Sequence, residues 1–546
     1  MMTHSKKSLN NTFVNREEKP SEYADRLGIY YTSKVSSEHK KKLGQFFTPL
    51  AVAQFMASFS KIKTEKVKIL DPGCGIGILS TAICEALISS NCHIRTIELV
   101  AFETDVDILP LAEDCFKYLG LWLNQRGIDF TFFLCKNDFV LHNSSSLNNN
   151  ESVHESYDII ISNPPYFKLQ KDDERILATK SVIYGQTNIY TIFLLIAAKL
   201  LKEDGQLIFI TPRSFCSGNY FRLFREIFFS IVDLDTIHLF DSRKDTFKRD
   251  KVLQENIIIS AVRKQHTRSS QLGLPFIDID KDITISSSNG IDDIKDRRIK
   301  KYECSDLINF DSYQKIIHLP SSDTDEKVIE IFKTWTGSLS AYNLAISTGP
   351  VVDFRSEEMI SFESKQDVVP LIWLHNVDSM KFTWPRNVGY KGKPKGQYII
   401  NNEVSSSRLV KNRNYVFLRR FSAKDDNRRL IAAPYFSNTL SDMPKLGIEN
   451  HLNYIYHKEK DLSNNEAFGL AGILNSRLFD LYFRTFNGNI NVSATELRDF
   501  PLPDFQLIQL LGEKIKKIIE IGVPLNIDSL ISEIFNISID LSQIYE

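Results

Sequence analysis

The sequence lacks the marks of several protein classes. None of its seven cysteines (74, 84, 92, 115, 135, 216, 304) forms a Cys-x-x-Cys pair, and none lies beyond Cys304. An odd, scattered set of this kind suits buried thiols in a reducing cytosol and excludes a disulfide framework. The 11 histidines are unclustered, so no metal site is expected. No apolar segment follows the opening Met-Met-Thr-His-Ser-Lys-Lys. The most apolar helical run, 192–201, is too short to span a bilayer and carries Lys199. These absences speak against secretion and membrane insertion and for a cytosolic protein. The net charge is only −1, so any surface for a polyanion must be local.

What is present is the rhythm of an α/β protein. At 546 residues, 42% hydrophobic and 25% charged, the chain is soluble in composition and long enough for two or three domains. Short β-branched or aromatic runs at 67–70, 99–102, 130–134, 157–162, 207–210, 236–240 and 256–262 alternate with helical patterns, as βα units of a doubly wound, seven-stranded sheet do. Residues 1–42 read as a polar arm, loosely ordered or in peripheral helices. Two polar stretches, 264–273 and 286–296, interrupt the rhythm, and the domain boundary is placed at about 319.

Several stretches carry chemistry. The run 157–162 ends in Asn163-Pro164-Pro165-Tyr166, where a parallel sheet presents ligands at its carboxyl edge. The Asn163 side-chain oxygen and the Pro164 carbonyl could take both hydrogens of one amino group, and Tyr166 offers a flat face for stacking; the plainer alternative is a rigid turn. The strand at 67–70 runs into Asp71-Pro72-Gly73-Cys74-Gly75-Ile76-Gly77 and a helix at 79–88. Strand, glycine-rich turn and helix form a nucleotide-binding opening, and an Asp leading into it repels a pyrophosphate but attracts an ammonium group. Glu103, at the tip of the second strand, is placed for a ribose diol or is a solvated charge. After the third strand, Asp138 could accept from an adenine amino group and Phe139 could wall the ring. Thr48-Pro49 opens a helix with Val52, Phe55 and Met56 on one face; Thr48 reads as its cap or as a carboxylate ligand. In the loop 245–248, Phe247 could cover the second face of a stacked base or tuck into the core.

The C-terminal half is asymmetric in charge. Between Lys381 and Leu430 stand thirteen Lys/Arg, among them Lys391, Lys393, Lys395, Arg413, Arg419, Arg420, Arg428 and Arg429, against three acids. Aromatics are interleaved, which suits a nucleic acid; the alternative is a solvated face. Ser493 and Thr495 read as helix caps, and the tail as amphipathic helix.

In their order, GQFFTP, DPGCGIG, Glu103 and NPPY resemble the gamma-class DNA adenine N6-methyltransferases of type II restriction-modification systems. The match covers roughly 43–262 and continues less sharply in Leu474-Asn475-Ser476-Arg477 and NVSATELRDFPLP. The resemblance implies a Rossmann-like methyltransferase domain over 43–318 and an α+β target-recognition domain over 319–546. It implies S-adenosylmethionine as cofactor, held by Thr48 and the loop Asp71, Gly73, Gly75, Gly77 at its methionine part, Glu103 at its ribose, and Asp138 and Phe139 at its adenine. Asn163, Pro164, Pro165 and Tyr166 would grip a flipped adenine, with Phe247 on its other face. Double-stranded DNA is the implied substrate, a separately encoded restriction endonuclease the implied partner, and a monomer the expected state. Three other readings stay open: an Asn-Pro-Pro-Tyr enzyme acting on RNA or a protein glutamine, a DNA-binding relative without activity, and a fused nuclease-methyltransferase. Against the last, only about 40 residues precede GQFFTP, and no acidic-acidic-Lys cluster stands out.

Overall fold

The computed structural model describes residues 18–539, except 37, 40–43, 45–46, 91–92, 148–155, 181–186, 241–254, 266–280, 311, 387–393, 423–425 and 489. The chain divides into two compact units, one of Met1–Phe215 with Tyr220–Asp311 and one of Cys216–Asn219 with Ser312–Glu546.

The first unit is built on a nine-stranded sheet. Its strands are β1 Lys66–Pro72, β2 Thr96–Phe102, β3 Asp129–Cys135, β4 Tyr157–Ser162, β5 Leu201–Pro212, β6 Val232–Phe240, β7 Asn256–Arg263, β8 Asp282–Ser288 and β9 Arg298–Glu303. The order across the sheet is β3-β2-β1-β4-β5-β7-β6-β8-β9. The strands from β3 to β5 are parallel, whereas β7 runs antiparallel to both β5 and β6. Both faces of the central strands are covered: Ile69 and Ile159 on one face and Leu70 and Ile160 on the other are all fully buried. From β1 the chain winds outward to β3, then returns to β4 on the other side of β1, so the crevice at the carboxyl ends of β1 and β4 is the topological switch point.

The seven-strand expectation falls short by β8 and β9. Ser286, expected to open a polar loop, lies within β8, where Ser286 and Ser288 hydrogen-bond the two ring nitrogens of the buried His238 on β6 at 2.8 and 3.1 Å. Burial holds that imidazole's pKa down at about 3, so it stays neutral and serves the sheet as a polar rivet.

Among the described residues the helices of this unit include α1 Pro20–Lys34, α2 Leu50–Ala57, α3 Ile78–Ser90, α4 Leu109–Asn124, α5 Phe139–Asn143, α6 Glu174–Ala178, α7 Ile189–Leu200 and α8 Arg222–Ile231. Part of the arm is therefore α1, docked on α3 and α4. Ser21 Oγ donates to Glu85 at 2.8 Å, the Tyr23 and Tyr118 rings sit 4.9 Å apart, and the Tyr31 hydroxyl donates to the buried Asp105 at 2.8 Å.

In the second unit a four-stranded antiparallel sheet, with Leu344–Thr348, Leu452–His457, Tyr415–Arg419 and Ala432–Tyr435 in that order, lies beside a five-stranded sheet. The helix Asn464–Leu474 packs on the strands Tyr415–Arg419 and Ala432–Tyr435, Phe505–Ile521 packs on that helix, and Leu470 and Leu511 share one core with Phe479 and Phe483 of Arg477–Phe486. Ser493 caps the helix Ala494–Arg498, its hydroxyl accepting from Thr495 N; Thr495 itself is inside that helix.

Candidate active site

Four strand ends build the site. Ser162 Oγ, closing β4, donates to the Pro72 carbonyl that closes β1, at 2.6 Å. The amides of Gly73 and Cys74 donate to the Phe102 carbonyl that closes β2, at 2.9 and 2.8 Å. The glycine-rich loop is thus clamped to the second strand before its ligand face is made. Gly73, Gly75 and Gly77 all have positive φ, which L side chains rarely adopt. At Gly77 a Cβ would also come within 2.4 Å of the Phe116 ring, so that glycine is required by the core.

A cavity of about 660 Å³ opens here, lined among others by Gly73, Gly75, Glu103, Asp138, Phe139 and Asn163. Glu103 is its buried carboxylate. Its Oε2 accepts from Gly75 N at 3.0 Å, and its Oε1 accepts from Thr104 N and Asp105 N, each at 2.8 Å. Burial pushes its pKa up while these three amides oppose the shift, so the charge is tolerated at little exposure. Asp138 caps α5 through Leu141 N at 3.0 Å and faces the Arg175 guanidinium at 3.6 Å. Phe139 is buried against Phe102 and Phe193, with ring centroids 5.4 and 4.9 Å away.

Two expected cofactor residues are not on this wall. Asp71, expected to attract an ammonium group, is fully buried, and its Oδ2 accepts from Ser80 Oγ on α3 at 2.6 Å. Desolvation raises its pKa to about 7. Gly77 is turned toward Phe116, away from the cavity.

At the end of β4, Asn163 reaches the cavity and Pro164 is buried beneath it. Asn163 Nδ2 donates to Thr48 Oγ1 at 3.0 Å, and the Tyr166 hydroxyl donates to Asn163 Oδ1 at 2.5 Å while lying 2.8 Å from the Ile210 carbonyl. Tyr166 therefore meets Asn163 through its hydroxyl, and its ring packs edge-on to Tyr190 at 6.3 Å. Burial raises the Tyr166 pKa well above the ordinary phenol value, so the hydroxyl remains protonated. Thr48 does not cap α2: the cap position is Pro49, without a side-chain bond, because the threonine hydroxyl is turned toward Asn163. Phe247 lies outside the described residues.

Sequence reasoning missed several wall residues. Ala24 and Gly28 come from α1, and Phe167 and Arg175 from the charged stretch after Tyr166. Arg175 lies 5.4 Å from the Phe167 ring and is held by Asp173 at 2.6 Å. Only the company of a cation and an acid two residues apart signalled it.

The basic residues of the second unit are more engaged than their spacing suggested. Arg429 is fully buried; its Nε donates to Ser422 Oγ at 2.9 Å and its Nη2 to Asn487 Oδ1 at 3.1 Å, which removes it from the expected nucleic-acid set. Arg419 pairs with Asp378 at 2.9 Å, Lys395 with Asp353 at 2.9 Å and Arg428 with Asp528 at 3.2 Å. Arg420 donates to the Asn450 carbonyl at 2.9 Å, and Arg413 sits 4.5 Å over the Tyr456 ring. Lys391 and Lys393 lie outside the described residues. His39, Asp105 and Asp107 are grouped closely enough to be metal ligands in type, but His39 and the Tyr31 hydroxyl already bond the Asp105 carboxylate. Among the described residues no helix is long and apolar enough to cross a membrane.

Residues 117–247 match the Eco57I restriction-modification methylase family. The chain is 32% identical to type II methyltransferase M.BsuBI of Bacillus subtilis over 91% of its own length and 95% of that protein's. It is 31% identical to type II methyltransferase M.PstI of Providencia stuartii over 87% and 90% of the two lengths. In fold it resembles a solved nuclease-deletion mutant of the Type ISP restriction-modification enzyme LlaGI in complex with a DNA substrate mimic, with a TM-score of 0.50, 12% identity, and coverage of 90% of this chain and 48% of that one.

Proposed function

The chain belongs to the type II methyltransferases of restriction-modification systems, and from that premise we propose that it methylates N6 of an adenine flipped out of duplex DNA. The observation that carries this reading is Asn163, whose amide stands at the switch point on the wall of the same cavity that holds the Glu103 carboxylate. An amino-group acceptor and a nucleoside pocket then share one wall. The cavity residues fit S-adenosylmethionine: a buried carboxylate for a ribose diol, aromatic Phe139 for an adenine face, Asp138 for its amino group, and the backbone at Gly73 and Gly75 for the amino-acid end. When bound, that cofactor supplies an electrophilic methyl group on a sulfonium.

The exocyclic nitrogen of adenine is a poor nucleophile because its lone pair is delocalised into the ring. Asn163 Oδ1 and the Pro164 carbonyl, accepting its two hydrogens, would draw that lone pair out of conjugation and aim it across the cavity. An amide oxygen has two lone pairs, so the Tyr166 hydroxyl can share it with the base or yield to it. Tyr166 then supports Asn163 more directly than it offers a stacking face. A base inside a duplex cannot reach a strand-end cavity, so flipping is required, at a cost of a few kcal/mol.

The first unit is assigned to catalysis and the second to target recognition, which moves the expected boundary from 319 to 312, with Arg413 and Arg420 as phosphate contacts and a separate endonuclease acting on the same site. The test is labelled methyl transfer to duplex DNA, RNA and a glutamine peptide, followed by sequencing of methylated bases in DNA from expressing cells. N6-methyladenine in duplex DNA supports the reading, whereas labelled peptide or RNA with unlabelled DNA overturns it.

A further inference from the structure

Arg175 is the one cation among the described residues that line the cavity, where it stands with the acids Asp25, Glu103 and Asp138. S-adenosylmethionine carries an ammonium and a sulfonium, so a guanidinium on this wall works against it unless it faces the carboxylate or the uncharged base. Asp138, 3.6 Å from the guanidinium, would repel the carboxylate, which leaves the base. We propose that Arg175 is a cofactor-binding residue whose Nη1 donates to a ring nitrogen of the cofactor's adenine while Asp138 accepts from the adjoining amino group.

The amino group of adenine lies between two ring nitrogens, N1 and N7, that accept hydrogen bonds and cannot donate them. A carboxylate alone answers the amino group but sets a negative oxygen against a neighbouring lone pair. A donor beside the carboxylate removes that conflict, and a guanidinium has only donors to offer. Arg175 is held for this task. Its Nε and Nη2 donate to Asp173 Oδ1 and Oδ2 at 2.8 and 2.6 Å, a bidentate pair that fixes the plane of the guanidinium. Asp173 is fixed in turn, because its Oδ1 caps α6 by accepting from Arg175 N at 3.0 Å. The remaining nitrogen, Nη1, faces Asp138 Oδ2 at 3.6 Å and has no hydrogen-bond partner among the described residues. Asp138 is anchored through its other oxygen, which accepts from Leu141 N at 3.0 Å. A separation of 3.6 Å is too long for a hydrogen bond, so an acceptor and a donor stand side by side on one wall, each with capacity left. Groups fixed in advance need little ordering when a ligand arrives.

This proposal rests on the reading of the cavity as a site for S-adenosylmethionine. Its test is calorimetry with S-adenosylhomocysteine and with the 7-deaza and 1-deaza analogues, in each of which one ring nitrogen becomes a C–H. The proteins compared are the wild type and Arg175→Met, which keeps an unbranched stem and removes the donors. Arg175→Met is expected to bind the parent compound roughly tenfold more weakly than the wild type does, and one of the analogues to lose a similar factor on the wild type. On Arg175→Met that analogue and the parent should bind alike within about twofold, because the nitrogen no longer has its donor. Which analogue behaves so tells N7 from N1. Discrimination that persists undiminished in Arg175→Met would overturn the proposal and make Arg175 a buttress for Asp138, as would parent affinity unchanged by the substitution. A wild type indifferent to both analogues would overturn it as well, whether or not the variant folds. A wild type that binds no S-adenosylhomocysteine overturns the cofactor reading itself, an outcome distinct from all of these.

Discussion

The carboxyl edge of the large sheet and the basic stretch of the second unit both concentrate charge, but they balance it over different distances. Glu103 is satisfied by the amides of Gly75, Thr104 and Asp105, two of them from the next two residues and the third on the loop that the adjoining strand must form. In the basic stretch, Arg386 and Arg419 share Asp378, Lys395 takes Asp353, and Arg428 takes Asp528, all acids outside the window 381–430. Backbone amides at a strand end are fixed by local geometry, whereas side-chain counter-ions are recruited by the tertiary fold. A motif at a sheet edge therefore speaks for its own environment, and a count of charges along a sequence does not.

The contrast is broken most severely at Asn163. Asn163→Ala should lower turnover by on the order of 10² to 10³ by loss of one preorganised polar group, while cofactor and DNA affinity stay near wild type. Steady-state methyl transfer, with calorimetry and DNA titration, checks this. Near-normal turnover would remove the sheet-edge site from the chemistry. Next in size is Arg429, which tests whether a basic residue in the second unit serves fold or ligand. Arg429→Ala should cost about 2–3 kcal/mol of stability, because it removes charge-assisted bonds from a buried position. A urea denaturation midpoint unchanged from wild type would contradict that role.

How much of this was legible follows the same division. Strands β1, β2 and β4 could be read because short apolar runs mark them, and the candidate residues at their tips followed from the strand ends. Strand β8 could not, because Ser286 and Ser288 look like loop until His238, 48 and 50 residues earlier, is placed against them. The cavity's α1 wall was hidden for a like reason: Tyr31 reads as one more tyrosine in a polar arm until Asp105, 74 residues away, accepts its hydroxyl. Asp71 was placed correctly at the head of its loop and turned the wrong way, since spacing does not say that Ser80 draws the carboxylate into the core. Thr48 was read as a cap or as a cofactor ligand; it is not the cap, because its hydroxyl accepts from an amide 115 residues on.

A smaller effect is expected at Arg413, which lies over the Tyr415 and Tyr456 rings and forms no ion pair among the described residues. Arg413→Ala should change stability by less than about 0.5 kcal/mol yet lower DNA affinity and reduce the slope of log affinity on log salt by about 1. An unchanged slope, measured by titration across salt concentrations, would place the phosphate contacts elsewhere.

The smallest effect is a pH dependence of the second unit. His451 lies against the buried Glu449, and the carboxylate bond holds the imidazole's pKa above its ordinary value; Asp353 adds to the rise, while burial and Arg420 oppose it. A histidine whose folded pKa exceeds its unfolded value contributes stability that is fully present below the unfolded pKa and is lost as pH rises through the folded one. The urea midpoint should therefore fall between about pH 6 and about pH 8, and that portion of the fall should vanish in His451→Gln. The imidazole is 42% exposed, so solvent screens the pair and the change stays small beside that of Arg429→Ala. A midpoint that rises over the same interval, or a fall that survives in His451→Gln, would mean that Glu449 is balanced by some other group, and that this part of the second unit settles its charge as locally as the sheet edge does.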